Sequence, residues 1–528
     1  MKKLQGLGLS VLAGILLAAA WPESPFTLLI CIAFVPLLLL ANQIQSPRVF
    51  FGYVLLSMLI WNACTTWWMW NSTSVGAVAA IMANSLLMCL PWLGYFAIKK
   101  KYAATISLTL LVCFWMGFEY IHLNWELSWP WLTLGNVFAN MPSQIQWYEY
   151  TGVSGGSLLI LIMNVLVYQL VMAINQKLSL KIILSKALLV LLLPLFISFV
   201  NLFIYLQSTA KKTNGNMVIV QPNIDPYQKF ALTTSAEQIK QLITLSENSI
   251  DKNTQIVIWP ETAMSVAEWQ DHIAENLYYQ PIFEFAKKHP DITLVSGIET
   301  FKNYGTTKET ATAHKTDGGT YYDAFNAAIA IKQGELFQLY NKSKLVPGVE
   351  SLPSFLTILS PVFEQFGGTT GGYGKATESA VFKVLGSKYV VAPIICYESI
   401  YGEYVNSYVK KGANVLTIIT NDGWWGNTPG HKQHLAYARL RAIETRRWVA
   451  RSANTGISAV INEYGAIVEQ RAWDKAATIK YSIPIKNELT FYVQYGDYLF
   501  KLSLYIGLLF IAYHFIISIK QRLNKSLP

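Results

Sequence analysis

Apolar positions run almost unbroken through the first 207 residues, a mixed segment follows to about residue 498, and one more apolar block closes the chain. The blocks fall at about 5–21, 26–41, 51–69, 75–98, 104–121, 156–175, 184–206 and 500–518. Each reaches or approaches the roughly 20 residues that carry a helix across a hydrocarbon core, so the pattern predicts an α-helical membrane bundle of eight spans. The first two blocks are short and fit a tilted hairpin. Lys2-Lys3 ahead of the first also fits a cleaved leader, but the alternation of the later segments requires that block as a span.

Between 208 and 498 the period changes. Short β-branched runs at 217–221, 255–259, 292–296, 324–331, 389–395, 415–420 and 457–461 alternate with amphipathic stretches near 235–249, 276–288, 400–411 and 431–448. Such alternation predicts an α/β layered domain rather than a β-sandwich. The Gly/Thr run 367–374 reads as a mobile loop. The expected organisation is a seven-helix transmembrane region over 1–207, a catalytic domain over 208–498, and an eighth helix with its tail over 499–528.

Composition agrees, with 53% hydrophobic against 14% charged residues. The net charge of +10 raises the question of a nucleic-acid partner, and its distribution answers it. Residues 208–519 hold 29 basic and 27 acidic residues, so the excess belongs to the membrane part and no nucleic acid is expected. Lys2, Lys3, Arg48, Lys99, Lys100, Lys101, Lys177, Lys181, Lys520, Arg522 and Lys525 fall on one side of the eight-span scheme. The opposing short loops, 22–25, 70–74 and 122–155, hold no Lys or Arg. By the positive-inside rule both termini are cytoplasmic and residues 208–498 lie on the outer face.

Trp67, Trp68, Trp70, Trp125, Trp129, Trp131 and Trp147 crowd the outer loops. They are expected chiefly as an interfacial belt, with the 122–155 loop also a candidate lipid entrance. Glu119, within a turn of the outer interface, is expected to be solvated.

Five cysteines, four of them in the apolar blocks, cannot form a disulfide framework, and no Cys/His cluster has zinc spacing. His431 and His434 read as a structural pair beside Gln433, His314 lies in a polar loop, and no metal is expected. Cys396 stands apart because it ends the apolar run Val390-Val391-Ala392-Pro393-Ile394-Ile395, at a strand-to-helix position that favours a thiolate. On its own it reads more readily as a small core thiol. Glu261 ends a second apolar strand, Ile256-Val257-Ile258-Trp259-Pro260, either as a first-turn helix acid or as a desolvated general base. Lys342, in Tyr340-Asn341-Lys342-Ser343-Lys344-Leu345, is either a solvated turn lysine or an oxyanion partner.

The order and local words of these three residues resemble the nitrilase superfamily of carbon–nitrogen hydrolases. With its membrane spans the whole chain resembles the apolipoprotein N-acyltransferase family within it. The resemblance implies an α-β-β-α sandwich, with Glu261 as general base, Lys342 as oxyanion stabiliser and Cys396 as nucleophile. It adds Glu350, Tyr397 and Glu398 as supporting residues, with the Tyr397 N–H a second oxyanion donor. Trp424, in Asn421-Asp422-Gly423-Trp424-Trp425-Gly426, would line the acyl pocket. Phe230, after Lys229, stands where the family often has Trp, and Lys344 and Pro347-Gly348-Val349-Glu350 also depart from its words. The activity implied is transfer of an acyl chain from a phospholipid, through a Cys396 thioester, to the N-terminal amine of a diacylglyceryl-cysteine apolipoprotein. It implies no cofactor and places the chain in the bacterial inner membrane, with the catalytic domain periplasmic. Two alternatives share parts of the pattern. A membrane-tethered amidase or nitrilase acting on a small soluble nitrogen compound would need no lipid, and a non-catalytic receptor or scaffold would have lost a member of the triad.

Overall fold

The computed structural model describes residues 3–207, 215–227, 234–352 and 372–526. The N-terminal region holds helices α1 (Lys3–Ala20), α2 (Val35–Gln43), α3 (Pro47–Thr66), α4 (Ser74–Leu87), α5 (Cys89–Ile98), α6 (Ala104–Leu123), α7 (Tyr148–Asn175) and α8 (Lys181–Gln207). Among the described residues six helices before residue 208 and one after it are long and apolar enough to cross a membrane, α4 and α5 together making one of them.

The block predicted at 26–41 is broken. A 3-10 turn, Thr27–Cys31, is followed by the nine-residue α2. A break in apolar surroundings leaves backbone groups without helical partners. Asn164 of α7 satisfies them from the side: its Oδ1 accepts from Phe34 N at 2.7 Å and its Nδ2 donates to Ile30 O at 2.8 Å. Asn164→Leu is therefore expected to lower stability by about 1–3 kcal/mol, the cost of orphaning the buried Phe34 N–H, read as a lower unfolding midpoint in detergent.

Glu119 is likewise not solvated. It is buried on α6, and its Oε1 accepts from Trp115 Nε1 at 3.0 Å and Leu134 N at 2.8 Å, because the 122–155 loop folds back over it.

The second region packs two sheets face to face. The first has strand order β14-β1-β2-β4-β6-β5, with β3 on β4 and β7 on β6. Its strands are β1 (Asn216–Gln221), β2 (Thr254–Ile258), β3 (Met264–Trp269), β4 (Thr293–Asn303), β5 (His314–Lys315), β6 (Tyr321–Ile331), β7 (Gln338–Asn341) and β14 (Ala477–Tyr481). The second has order β13-β12-β11-β10-β9-β8, from β8 (Phe382–Lys383), β9 (Val390–Ile395), β10 (Val415–Thr420), β11 (Trp448–Ala453), β12 (Ala459–Ile461) and β13 (Ile467–Gln470). Alternation along β1 shows the layering. Met217 and Ile219 join the inter-sheet core with Ile394, Leu416 and Ile418, whereas Val218 and Val220 face Ile239 and Leu242 of α9 (Ser235–Glu247) and Ile282 and Phe285 of α10 (Gln280–Lys288).

On the far face of the second sheet lie α11 (Gly402–Lys410) and α12 (Pro429–Thr445), so the section is α-β-β-α. Nearly all of α12 is buried, because it has two partners. Leu435, Ala438 and Ala442 face the sheet, while Ala436, Tyr437, Leu440 and Ile443 join the core of the membrane region. Tyr437 OH accepts from Trp21 Nε1 at 3.1 Å and donates to Trp131 O at 2.8 Å, and Gln433 Nε2 donates to Thr65 O at 3.2 Å. The α/β domain is thereby seated on the helices rather than tethered beside them. A short helix α13 (Phe491–Tyr495) leads into α14 (Tyr498–Ser526), which packs on α6. The loop predicted at 367–374 lies outside the described residues up to 371.

Candidate active site

Glu261, Lys342 and Cys396 each follow a strand end, and the two sheets bring those ends together. Parallel pairing of β1, β2 and β4 in one sheet and of β9, β10 and β11 in the other aligns their C-terminal ends, where open α/β sheets place sites.

Glu261 leaves β2 through a tight turn in which Thr262 has φ +50. Gly297 on β4 makes room for it. A Cβ there would lie 2.6 Å from Glu261 Cα and closer still to Thr262 N, and backbone cannot yield as a side-chain tip does. Gly297→Ala is expected to cost about 2–3 kcal/mol by overpacking and to reduce activity with it, checked by thermal unfolding and by transfer assay. The Glu261 carboxylate is buried and fully engaged. Its Oε1 accepts from Asn326 Nδ2 at 2.8 Å and Lys342 Nζ at 3.2 Å, and its Oε2 from Asn421 N at 3.1 Å.

Lys342 follows β7 and is held by its own N–H to Asn326 O at 2.8 Å. Only 1% exposed, its ammonium sits between two carboxylates, Glu261 at 3.2 Å and Glu350 at 2.8 Å. Glu350 Oε1 also accepts from Asn326 Nδ2 at 3.1 Å, and its Oε2 from Val346 N at 2.8 Å. Burial alone would push the ammonium pKa down, but the two carboxylates outweigh it and hold Lys342 well above its ordinary value. A cation that stays charged while buried is what an oxyanion needs.

Cys396 has φ +50, a left-handed conformation that turns the chain sharply out of β9. Burial raises the thiol pKa well above its ordinary value and Glu261 adds to that, while Lys342 and the Thr420 hydroxyl pull the other way. Such a sulfur rests as a thiol, and a thiol would need a base to act as a nucleophile. Glu398 ties this turn to the lysine turn. Its Oε1 accepts from Tyr340 OH at 2.6 Å, Ser343 N at 2.7 Å and Lys344 N at 3.2 Å, and its Oε2 from Ile395 N at 3.0 Å and Tyr408 OH at 3.1 Å. The carboxylate thereby holds the two turns against each other.

The Cys396 carbonyl is fixed by residues whose role sequence reading missed. Ser399 Oγ donates to it at 2.7 Å, and His434 Nε2 lies 3.2 Å away. His434 Nδ1 is 3.0 Å from Asp422 Oδ1, and Asp422 Oδ2 pairs with Arg451 at 2.6 Å. Burial would raise the Asp422 pKa, but Arg451 and His434 outweigh it and hold the carboxyl well below the usual range. His431 instead packs at a tilt on Trp473, with ring centroids 4.2 Å apart. Among the described residues no group of three His, Cys, Asp or Glu could hold a metal.

A cavity of about 200 Å³ opens at the thiol. Cys396, Tyr397 and Trp425 line it from the α/β domain; Trp68, Met69, Thr73 and Gly76, with Trp129 and Trp131, line it from the membrane region. Trp68 and Trp131 are buried and meet each other and Trp425 edge to face, with ring centroids 4.8–5.5 Å apart, whereas Trp67 and Trp70 are exposed as a belt requires. Trp424 is 38% exposed and packs edge-on against Tyr227, and its neighbour Trp425 takes the cavity wall. Tyr397 OH donates to Ser128 O at 3.0 Å, anchoring the 122–155 loop beside the thiol. Phe230 lies outside the described residues.

Comparison with known proteins gives two matched regions: an apolipoprotein N-acyltransferase N-terminal domain over residues 13–166, and a carbon–nitrogen hydrolase domain over 219–487. The apolipoprotein N-acyltransferase of Chlorobaculum tepidum is 30% identical over 506 residues, covering 93% of this chain and 92% of that protein. That of Thermotoga maritima is 26% identical over 531 residues, covering 96% and 93%. Apolar helices before and after the hydrolase domain fit a membrane protein. The chain belongs to the apolipoprotein N-acyltransferase family, whose α/β part is a carbon–nitrogen hydrolase domain.

Proposed function

We propose that the protein moves an acyl chain from a phospholipid to the N-terminal amine of a diacylglyceryl-cysteine apolipoprotein, with Cys396 as the carrier. One observation carries this reading: the thiol that neighbours a carboxylate and a buried ammonium opens into a cavity walled by membrane-region residues. A soluble amide would have no use for that wall, which argues against the amidase alternative.

In the first half-reaction Glu261 takes the thiol proton as sulfur attacks the ester carbonyl. The oxyanion forms beside Lys342 and the Tyr397 N–H. Collapse breaks the ester C–O bond, Glu261 returns the proton to the leaving alkoxide, and a lysophospholipid departs. The acyl chain is now a thioester. In the second half the neutral amine attacks that carbonyl, Glu261 removes a proton from the nitrogen, and the C–S bond breaks as the amide forms. The same proton reprotonates the thiolate. The charge bias of the short loops supports an active site on the periplasmic face of the bacterial inner membrane, where both lipids are at hand.

The test incubates the purified protein in phospholipid micelles with a diacylglyceryl-cysteinyl peptide. The expected result is a peptide heavier by one acyl chain and an equivalent of lysophospholipid. Ammonia release from small amides without lipid, and no peptide product, would overturn the proposal.

A further inference from the structure

The thiol cavity is not the only apolar space in the membrane region. A second, of about 500 Å³, runs between α5, α6 and α14, lined by Pro91, Gly94, Phe114, Gly117 and Leu504 among others. The two spaces share two lining residues, Leu87 and His122. Those side chains are therefore the partition between the site that holds the thiol and an apolar groove that does not.

The partition is built to stay shut. His122 Nε2 is 2.8 Å from Asn84 Oδ1, and its Nδ1 accepts from Trp125 Nε1 at 2.9 Å. Asn84 Nδ2 in turn donates to Asn62 Oδ1 at 2.6 Å, and Asn62 Nδ2 donates to Met58 O at 2.9 Å. This chain of bonds locks the imidazole across α3, α4 and α6 in apolar surroundings, where a displaced polar group has no water to turn to. Approaching the partition, the cavity wall on α4 is bare of bulk. Gly76, Ala80 and Ala83 line it at helical spacing, and the next residue on that face is Leu87. From Gly76 to Leu87 the helix rises about 16 Å, a length on the scale of a fatty acyl chain.

We infer that Leu87 and His122 set the length of acyl chain that Cys396 can carry. This rests on the acyl-transfer reading and deepens it. A chain that fits ends against the partition; a longer one meets a ring held by hydrogen bonds at both nitrogens.

The test uses the full-length protein in micelles of phospholipids with a single head group and saturated chains of fourteen, sixteen, eighteen or twenty carbons. The rate of acyl adduct formation on Cys396 is followed by intact mass. Leu87→Ala joins the cavity to the neighbouring groove and is expected to raise the rate with the longest chain relative to sixteen carbons by about tenfold. Ala83→Leu fills the cavity short of the partition at a position that is not itself one of the hydrogen-bonded residues, and is expected to lower the ratio of eighteen to fourteen carbons by about tenfold. Variants that form the adduct with the wild-type chain profile overturn the partition's role and leave acyl transfer standing. A wild-type protein that forms no adduct with any donor overturns acyl transfer itself, and the inference with it.

Discussion

Replacing Lys342 with methionine is expected to abolish transfer and to destabilise the fold in the same stroke. The ammonium lies between Glu261 and Glu350, and both carboxylates also accept from the one Asn326 amide. Methionine fills the volume but leaves the buried Glu261 carboxylate facing that of the half-buried Glu350. Breaking a buried ion pair from one side costs about 3–5 kcal/mol, and loss of an oxyanion donor about 10²–10³ in rate. Thermal unfolding at neutral pH checks the loss; a midpoint that matches wild type contradicts the account.

Glu261→Gln tests the proton transfer itself. Glutamine keeps the shape and one acceptor oxygen, at the cost of turning its NH2 toward a donor on the other side, and it cannot take a proton. Thioester formation is expected to fall about 10³-fold, the scale of a lost general base. The thiol should respond in the opposite direction. Glu261 is one of the groups that raise the Cys396 pKa, so removing its charge lets the thiol ionise at lower pH. Alkylation by iodoacetamide near neutral pH is therefore expected to speed up while acyl transfer collapses. A variant in which both rates fall together would mean that Glu261 holds structure rather than moving a proton.

How much of this was legible in the sequence depends on how local each feature is. The runs before Glu261 and Cys396 are apolar and β-branched, so β2 and β9 could be read directly. Strand β11 could not, because 431–448 reads as a helix that swallows its start, and Arg451 breaks its apolar pattern; only the fold shows that this arginine is buried against Asp422. The four-residue β7 that presents Lys342 is too short and too polar to announce itself. The block at 26–41 looks like a span until Asn164, more than 120 residues away, stabilises a break in it. Neighbouring tryptophans make the same point. Trp67 and Trp68, like Trp424 and Trp425, differ by one position, and within each pair one faces outward while the other walls the thiol cavity. Composition cannot separate them; the 3-10 turns Trp67–Asn71 and Asp422–Trp425 that carry them decide which way each ring points. His434 is the largest omission, since its contact with the Cys396 carbonyl spans 38 positions and has no local signal.

The most direct test of the carrier role of Cys396 is the intact mass of the protein after exposure to phospholipid with no acceptor present. The account predicts an added mass of one acyl chain, mapped to Cys396, released by neutral hydroxylamine, discharged by a diacylglyceryl-cysteinyl peptide, and absent from Cys396→Ala. An adduct that persists in Cys396→Ala, or peptide acylation by that variant at the wild-type rate, would contradict it.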